Sequence, residues 1–419
     1  MHRFGARVNC FYPKQTHKNE NKSQEELTKM KINKWTLGLA AVGLVSLASV
    51  AQAEEKSVPL MTALSSTTIS GYVDTSAVWN PGTGNANPAP VSFNSGKQDG
   101  FNLNVVNLTL EKPLDEAQWS AGYKAELLFG PDAVNYNSSA NGDSTRGAGL
   151  YSLFNASDFA IKQAYLALRA PIGNGLDVKM GVLDSPLGYE SFVGYRNPNY
   201  TRSYGYTIEP TQLTGLLASY QLSEIFAVSG GVANTLNAGI NTRSTRAESA
   251  KAYMGSVTIT APESTGVLAG SALYAGIVDG FAGSSAEDQT SVYVGATIAT
   301  PVTGLRLGAA YDQVYHLGGK LDSGSVDALA IYASFQATEK MGLHLRGEYA
   351  KGGLVTATPG REKILALTGT IQYDLWQNVI SRLEVRWDHS ASGSEIFGGT
   401  SSPTEKNAVM VAANLVYRF

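Results

Sequence analysis

The strongest constraint on this chain is a two-residue rhythm of grease and charge that returns many times along its length. In Val379-Ile380-Ser381-Arg382-Leu383-Glu384-Val385-Arg386-Trp387-Asp388, one set of alternate positions holds Val379, Leu383, Val385 and Trp387, and the other holds Arg382, Glu384, Arg386 and Asp388. A β-strand points successive side chains to opposite faces, so such a run has one apolar and one charged face. The same split sets Met341, Leu343, Leu345 and Tyr349 against His344, Arg346 and Glu348, and Leu305, Leu307, Ala309 and Tyr311 against Arg306 and Asp312. It also sets Trp119, Ala121, Tyr123, Ala125, Leu127 and Phe129 against Gln118, Lys124 and Glu126, and Leu176, Val178, Met180 and Val182 against Asp177 and Lys179. Each run is about ten residues long, the length a tilted strand needs to cross the hydrocarbon layer.

A soluble sandwich would alternate too, with its apolar face on a second sheet and its polar face in water. In a membrane barrel the apolar face meets lipid and the charged face lines a lumen. Three features favour the barrel. Aromatic residues gather near strand ends (Tyr72, Trp79, Tyr123, Phe129, Tyr373, Trp387, Tyr417), as an interfacial girdle requires. The charged faces mix both signs, which suits a narrow polar channel. The final run, 407–419, places Val409, Val411, Ala413, Leu415, Tyr417 and Phe419 on one face. A terminal aromatic preceded by alternate apolar residues, here Leu415, Tyr417 and Phe419, resembles the targeting signal that the barrel-assembly machinery reads.

The candidate strands are 67–80, 100–112, 117–130, 158–170, 175–184, 212–221, 225–235, 250–261, 265–278, 288–300, 304–316, 326–337, 341–352, 362–375, 379–390 and 406–419. The expectation is an all-β, antiparallel up-and-down transmembrane barrel of about sixteen strands, with fourteen and eighteen also compatible. Phe101, Leu103 and Val105 alternate in one phase and Val106, Leu108 and Leu110 in the other, a switch that a β-bulge would produce. Turns alternate between short ones, such as 170–175 and 222–224, and long polar ones. Short periplasmic turns and long outer loops are the barrel habit.

The N-terminal region reads differently. Residues 30–53 have the three parts of a secretory signal peptide: a basic flank (Lys31, Lys34), an apolar stretch from Trp35 to Val50, and a small-residue cleavage site at Ala51 and Ala53. Residues 1–29 look like an over-extended reading frame, 54–66 like a periplasmic lead, and 67–419 like the barrel. Eight of the 32 basic and three of the 35 acidic residues lie in 1–53, so cleavage leaves 24 against 32 and a net charge of −8. No basic face remains for nucleic acid. Cys10, the only cysteine, also falls in this segment, so an exported chain would have no disulfide and would rest on a closed hydrogen-bonded sheet. The implied location is the bacterial outer membrane.

One loop stands apart. Residues 185–211, after the fifth candidate strand, carry Tyr189, Phe192, Tyr195, Tyr200, Tyr204 and Tyr206 together with Glu190, Arg196, Arg202 and Glu209. Rings in a fully exposed loop would have nothing to pack on. Folding inward would seat them on the wall and let the four charges meet lumen-facing groups, giving a constriction with a transverse field. The other reading is an aromatic outer loop packed on its neighbours or on a partner. The run AYLALRAPIGNGLDVKMGVLDSPLGYE, followed by NPNYTRSYGYTIEPTQLTG, resembles the putative β-barrel porin-2 (OmpL-like) family at Gly181, Gly188, Glu190, Asn197, Tyr200, Ser203, Pro210 and Gly215. The resemblance implies an outer-membrane barrel with porin activity and supplies no substrate. One departure is Thr211-Gln212-Leu213, where the family pattern has a histidine just before Thr214-Gly215.

No catalytic constellation stands out, and no cofactor or resident metal is implied. His316, His344 and His389 read as lumen or rim residues without metal-ligand spacing. Ser381 and His389 are eight residues apart, too far along a strand to touch. Asp279, Asp312 and Glu287 could sit at an outer rim, but nothing in their spacing demands calcium. The expected function is passive diffusion of small polar solutes through a water-filled lumen. A substrate-specific channel, for sugars for example, and a non-conducting barrel serving as adhesin or scaffold are the alternatives. Small-residue strands such as Val267 to Ile277 could supply the outer face of a homotrimer.

Overall fold

The computed structural model describes residues 66–82, 99–135, 159–236, 239–244, 249–281, 288–317, 324–352 and 362–419. The expectations placed on 1–65, including the cleavage site at Ala51 and Ala53, lie outside these residues.

Sixteen strands form one closed antiparallel sheet in which each strand pairs with its neighbours in sequence and β1 pairs with β16. They are β1 (Thr68–Trp79), β2 (Gly100–Lys112), β3 (Ser120–Phe129), β4 (Phe159–Ala170), β5 (Leu176–Asp184), β6 (Gln212–Gln221), β7 (Phe226–Ala233) and β8 (Ala252–Thr260). The second half comprises β9 (Ala272–Phe281), β10 (Asp288–Ala299), β11 (Leu305–Tyr315), β12 (Ser325–Gln336), β13 (Met341–Lys351), β14 (Lys363–Trp376), β15 (Val379–Ser390) and β16 (Asn407–Arg418). Closure removes the exposed sheet edge, and the seam is drawn shut by a reciprocal backbone pair, with Gly71 N donating to Phe419 O and Phe419 N to Gly71 O at 3.0 Å each.

The two faces of the sheet settle which side meets what. On β15, Leu383, Val385 and Trp387 are 52, 50 and 39% exposed, while Arg382, Glu384, Arg386 and Asp388 are 0–3% exposed. Water-soluble proteins bury the first set and expose the second. Here the greasy side faces out all round the barrel and the charged side faces in, which is the arrangement for a hydrocarbon surround. No second sheet covers the apolar face among the described residues, so the sandwich alternative fails.

Three irregularities shape the interior. Asp74 pairs with Val105 and Thr75 with Leu103, so Asn104 is the extra residue that switches the phase of β2. Asn104 and Val105 are both buried as a result, and Val105 leaves the outward phase of Phe101 and Leu103. In β4, Glu126 pairs with Gln163 and Leu127 with Ile161, which leaves Lys162 unpaired in register and turns both Lys162 and Gln163 inward. The third lies at Leu375, between the pairs Asp374–Ile380 and Trp376–Val379.

Two expectations need correction. The strand placed at 265–278 starts at Ala272, because Gly266 and Gly270 take φ of 62° and 76° and the apolar Val267 and Leu268 form an exposed turn. That also removes Val267 from any small-residue outer strand. Tyr72 is not a girdle residue: it shares its phase with Asp74 and Ser76, points inward and is 2% exposed. Trp79, Phe129, Tyr373, Trp387 and Tyr417 do lie on the outer side, each at least 39% exposed, and Tyr123 shares the outward phase of Ala121 and Phe129 but is half-buried.

Candidate functional site

Residues 185–211 leave the end of β5 and cross the lumen to the far wall before returning to β6. The crossing begins on an apolar wall. Leu187 and Tyr189 pack where β9 and β11 present Gly276 and Gly308; a Cβ at either glycine would collide with these side chains. The Tyr189 ring stacks on Tyr332 of β12 with centroids 4.1 Å apart. Leu187 also joins Leu183, Leu213, Leu217, Met254, Val278 and Tyr293 in the largest buried apolar cluster. Further on, Phe192, Val193 and Tyr195 pack on Tyr72, Val105, Leu128, Ile380 and Val416, on the other side of the lumen.

The middle of the loop is fastened by charge. Glu190 accepts from Arg346 Nη1 at 2.9 Å, from Tyr332 Oη at 3.1 Å and from Ser203 N at 2.8 Å. Arg346 also donates to Glu348 (2.7 Å), to Thr201 O (2.7 Å) and Oγ1 (3.0 Å), to Arg202 O (3.2 Å) and to Thr368 Oγ1 (3.4 Å). Glu384 accepts from Tyr200 N at 2.6 Å, Thr201 N at 2.9 Å and Thr201 Oγ1 at 2.6 Å. Arg386 grips Asp388 with two bonds of 2.8 Å and Arg202 O at 2.9 Å. Arg382 reaches Gly194 O at 3.0 Å and Asn197 O at 3.2 Å.

A single helical turn, α1 (Tyr204–Ile208), completes the seat. The Ser203 side chain caps it by accepting from Tyr206 N, and Glu348 accepts from Tyr204 N at 2.7 Å. Burial raises the phenols of Tyr200 and Tyr204, so each stays a donor, to Ser76 Oγ and Asp388 Oδ1 respectively, at 2.9 Å. Burial of its carboxyl, reinforced by the Asp312 carboxylate beside it, raises Glu209 well above the usual carboxylate range. Gln212, at the departure from the family pattern, donates to the carbonyls of Ile161 and Lys162 at 2.7 and 2.6 Å and so ties the bulge of β4 to β6.

The charges expected to frame an opening are therefore distributed in two groups. Glu190, Arg202, Arg346, Glu348, Arg382, Glu384 and Arg386, with Tyr200 and Tyr204, are 6% exposed or less and face protein. Glu126 and Asp312 are buried as well, Glu126 by Asn107 and Gln163 and Asp312 at Glu209. Solvent reaches Lys124, Tyr165, Lys179 and Asp184 on the β3–β5 wall, Arg306 on β11, and Tyr195, Arg196 and Tyr206 on the loop. Lys179 lies 5.0 Å over the Tyr165 ring, and Lys162 bonds Asp184 at 2.6 Å. Thr201 and Asn199, both central to the seat, carried no signal in the sequence, and Asn197 was marked by the family resemblance alone.

His344 is a lumen residue bonded to Ser334 Oγ at 2.9 Å, His316 sits in the turn after β11, and His389 shares the outward phase of Trp387. Asp279 accepts from Thr290, and Glu287 lies outside the described residues. Among the described residues no group of three or more His, Cys, Asp or Glu is arranged to hold a metal ion.

Comparison with known proteins agrees with this geometry. The family model described as putative β-barrel porin-2, OmpL-like, matches residues 66–419. No curated protein matches the chain in sequence. Among solved structures, an anion-selective porin from Comamonas acidovorans is similar with a TM-score of 0.56 and 14% identity, covering 84% of this chain and 99% of that one. The outer-membrane channel DcaP of Acinetobacter baumannii follows with 0.54 and 12%, covering 84% and 97%. OmpT of Vibrio cholerae in its trimer form gives 0.52 and 11%, covering 84% and 99%. At these identities the likeness is one of fold.

Proposed function

The chain belongs to the putative β-barrel porin-2, OmpL-like family, and from that premise we propose that it passes small polar solutes by diffusion through a water-filled lumen narrowed by residues 185–211. An outer-membrane porin is what the family and the sixteen-strand fold support. One observation carries the finer reading. The loop commits its polar groups to the β12–β15 wall and leaves Lys124, Tyr165, Lys179 and Asp184 on the opposite wall partly exposed. The opening runs between the loop and that wall, with both signs of charge at its edge, so it sorts solutes by size and polarity.

A sugar-selective channel would need exposed rings for stacking. Tyr200 and Tyr204 are 3% and 1% exposed, and the rings that solvent does reach are already covered by cations, Tyr165 by Lys179, Tyr195 by Arg196 and Arg418, and Tyr206 by Arg202, which favours the diffusion reading over that one. Planar-bilayer recording tests the proposal: stepwise insertion of ohmic channels is expected, together with swelling of proteoliposomes in small sugars. A folded barrel that passes no current would sink it and leave the adhesin or scaffold reading.

Three further parts of the proposal have their own tests. Export uses residues 30–53 as a signal cleaved after Ala53, so the outer-membrane form starts at Glu54 by N-terminal sequencing. Leu415, Tyr417 and Phe419, all outward and 40–50% exposed, present the segment read by the assembly machinery. The working form is a homotrimer, as one similar porin has been solved in trimer form; chemical cross-linking in native membranes reads the number of subunits.

A further inference from the structure

A cavity of about 900 Å³ opens at the short-turn mouth of the barrel, between the loop and the β10–β16 wall. Its charged lining is Arg196, Arg306, Lys340 and Arg418 against Glu339 and Asp374, with His344 and Ser334 between them. This cationic excess occurs in a chain whose net charge is −3.

Two of the arginines are held in an unusual state. Arg306 Nη1 and Arg418 Nε are buried and have no hydrogen-bond partner. Neither arginine makes a salt bridge to any described residue. Both side chains are half-buried as a whole, but a shielded guanidinium nitrogen without an acceptor costs stability unless something else supplies the oxygen, and the cavity is where that oxygen can enter. Tyr195 adds to this. Its ring, met edge-on by Tyr72 at 5.1 Å, carries Arg418 at 5.4 Å and Arg196 at 5.9 Å. Two guanidinium groups gathered on one ring give this edge of the cavity a positive character that attracts an anion.

We propose that this cavity is a binding site for small solutes bearing carboxylate or phosphate groups, with Arg306 and Arg418 as the principal donors. A guanidinium presents a planar fork that matches both groups, which is why this residue and not a diffuse positive field marks the class. The Trp376, Val302 and Ile380 side of the lining accepts the carbon part of an organic acid. Bound anions would be concentrated at the mouth and handed to the opening beside Lys179. The transport half of this statement rests on the porin reading; the binding half does not.

The test uses the folded full-length barrel in neutral detergent at low salt, titrated calorimetrically with succinate and, separately, with inorganic phosphate. Saturable binding of either is expected, and which of the two binds tells carboxylate from phosphate recognition. R306Q combined with R418Q weakens the affinity by roughly tenfold, whereas R306K with R418K keeps most of it. Heat-modified gel migration confirms that each variant is folded. In a bilayer under a KCl gradient, the Gln pair shifts the reversal potential toward cations. Current without saturable binding, and with no shift in the Gln pair, overturns this site and leaves the porin reading intact. Binding lost in the Gln pair, in a barrel that carries no current, upholds the site and removes the porin reading.

Discussion

Arg346 and Arg306 face the same lumen two strands apart, and their situations are opposite. Arg346 makes six hydrogen bonds and has no solvent exposure. Arg306 has a buried Nη1 with no partner and lines an open cavity. One charge is consumed by structure; the other is left for whatever enters. The difference does not lie in the residue or in the strand phase. It lies in whether the loop reaches that depth of the barrel with carbonyls and a carboxylate to offer. A charged lumen face is therefore not in itself a pore lining.

The sharpest way to break the comparison is Arg346→Ala. Removing it leaves Glu190 as a buried carboxylate without its ion pair, while Glu348 keeps Arg386 at 3.4 Å, and breaking such a buried pair costs about 3–5 kcal/mol. Urea unfolding in detergent should show the loss, and single-channel records should become larger and noisier as the loop leaves its seat. Unchanged conductance would mean that the loop is held elsewhere. Next comes Glu384→Ala, which leaves the Tyr200 and Thr201 amides buried without acceptors and costs roughly 1–3 kcal/mol; protease cleavage within 185–211 should appear without loss of the barrel.

A smaller effect is pH-dependent. Glu209 has a raised carboxyl in the folded protein, so its contribution is fully present below the unfolded value of about 4.3 and is lost as pH rises through the raised folded value. Loop protection should therefore weaken from acid toward alkaline pH, and Glu209→Gln should flatten that profile. The smallest change is expected from Arg306→Gln or Arg418→Gln alone: within about 0.5 kcal/mol of the parent in unfolding, in contrast to Arg346→Ala. A loss on the scale of the Arg346 variant would mean that Arg306 and Arg418 are held by structure as Arg346 is.

The barrel was legible in the sequence because a strand in lipid has only two environments, and a two-state alternation survives in any window of ten residues. The first and last strands of the wall were placed within two residues of where they lie, and the phase switch in β2 announced a bulge, although Asn104 places it ahead of Val105 rather than after it. The error at β9 arose where an interfacial turn carries apolar Val267 and Leu268, so hydrophobicity no longer marked the wall. Tyr72 was misplaced by weighing its ring above its phase, although Asp74 and Ser76 in the same phase already pointed it inward.

The loop's position was legible in outline, since its tyrosines needed a surface. Its fastening was not. Glu384 holds backbone amides, and Arg346, Arg382 and Arg386 hold backbone carbonyls of Gly194, Asn197, Thr201 and Arg202. Main-chain groups are the same at every residue, so composition gives no sign of which ones will be used. Sequence can likewise supply Glu190 and Arg346 but cannot say that positions 156 residues apart will meet.

That separation also sets an order of events. The loop emerges near the middle of the chain, while its anchors on β13–β15 come from the last quarter. Contacts between distant parts of a chain form late. The cylinder must then be closed around an interior that residues 185–211 are fastened across only when the last strands are in place, so the seat is the part of the molecule that every earlier stage of assembly has to do without.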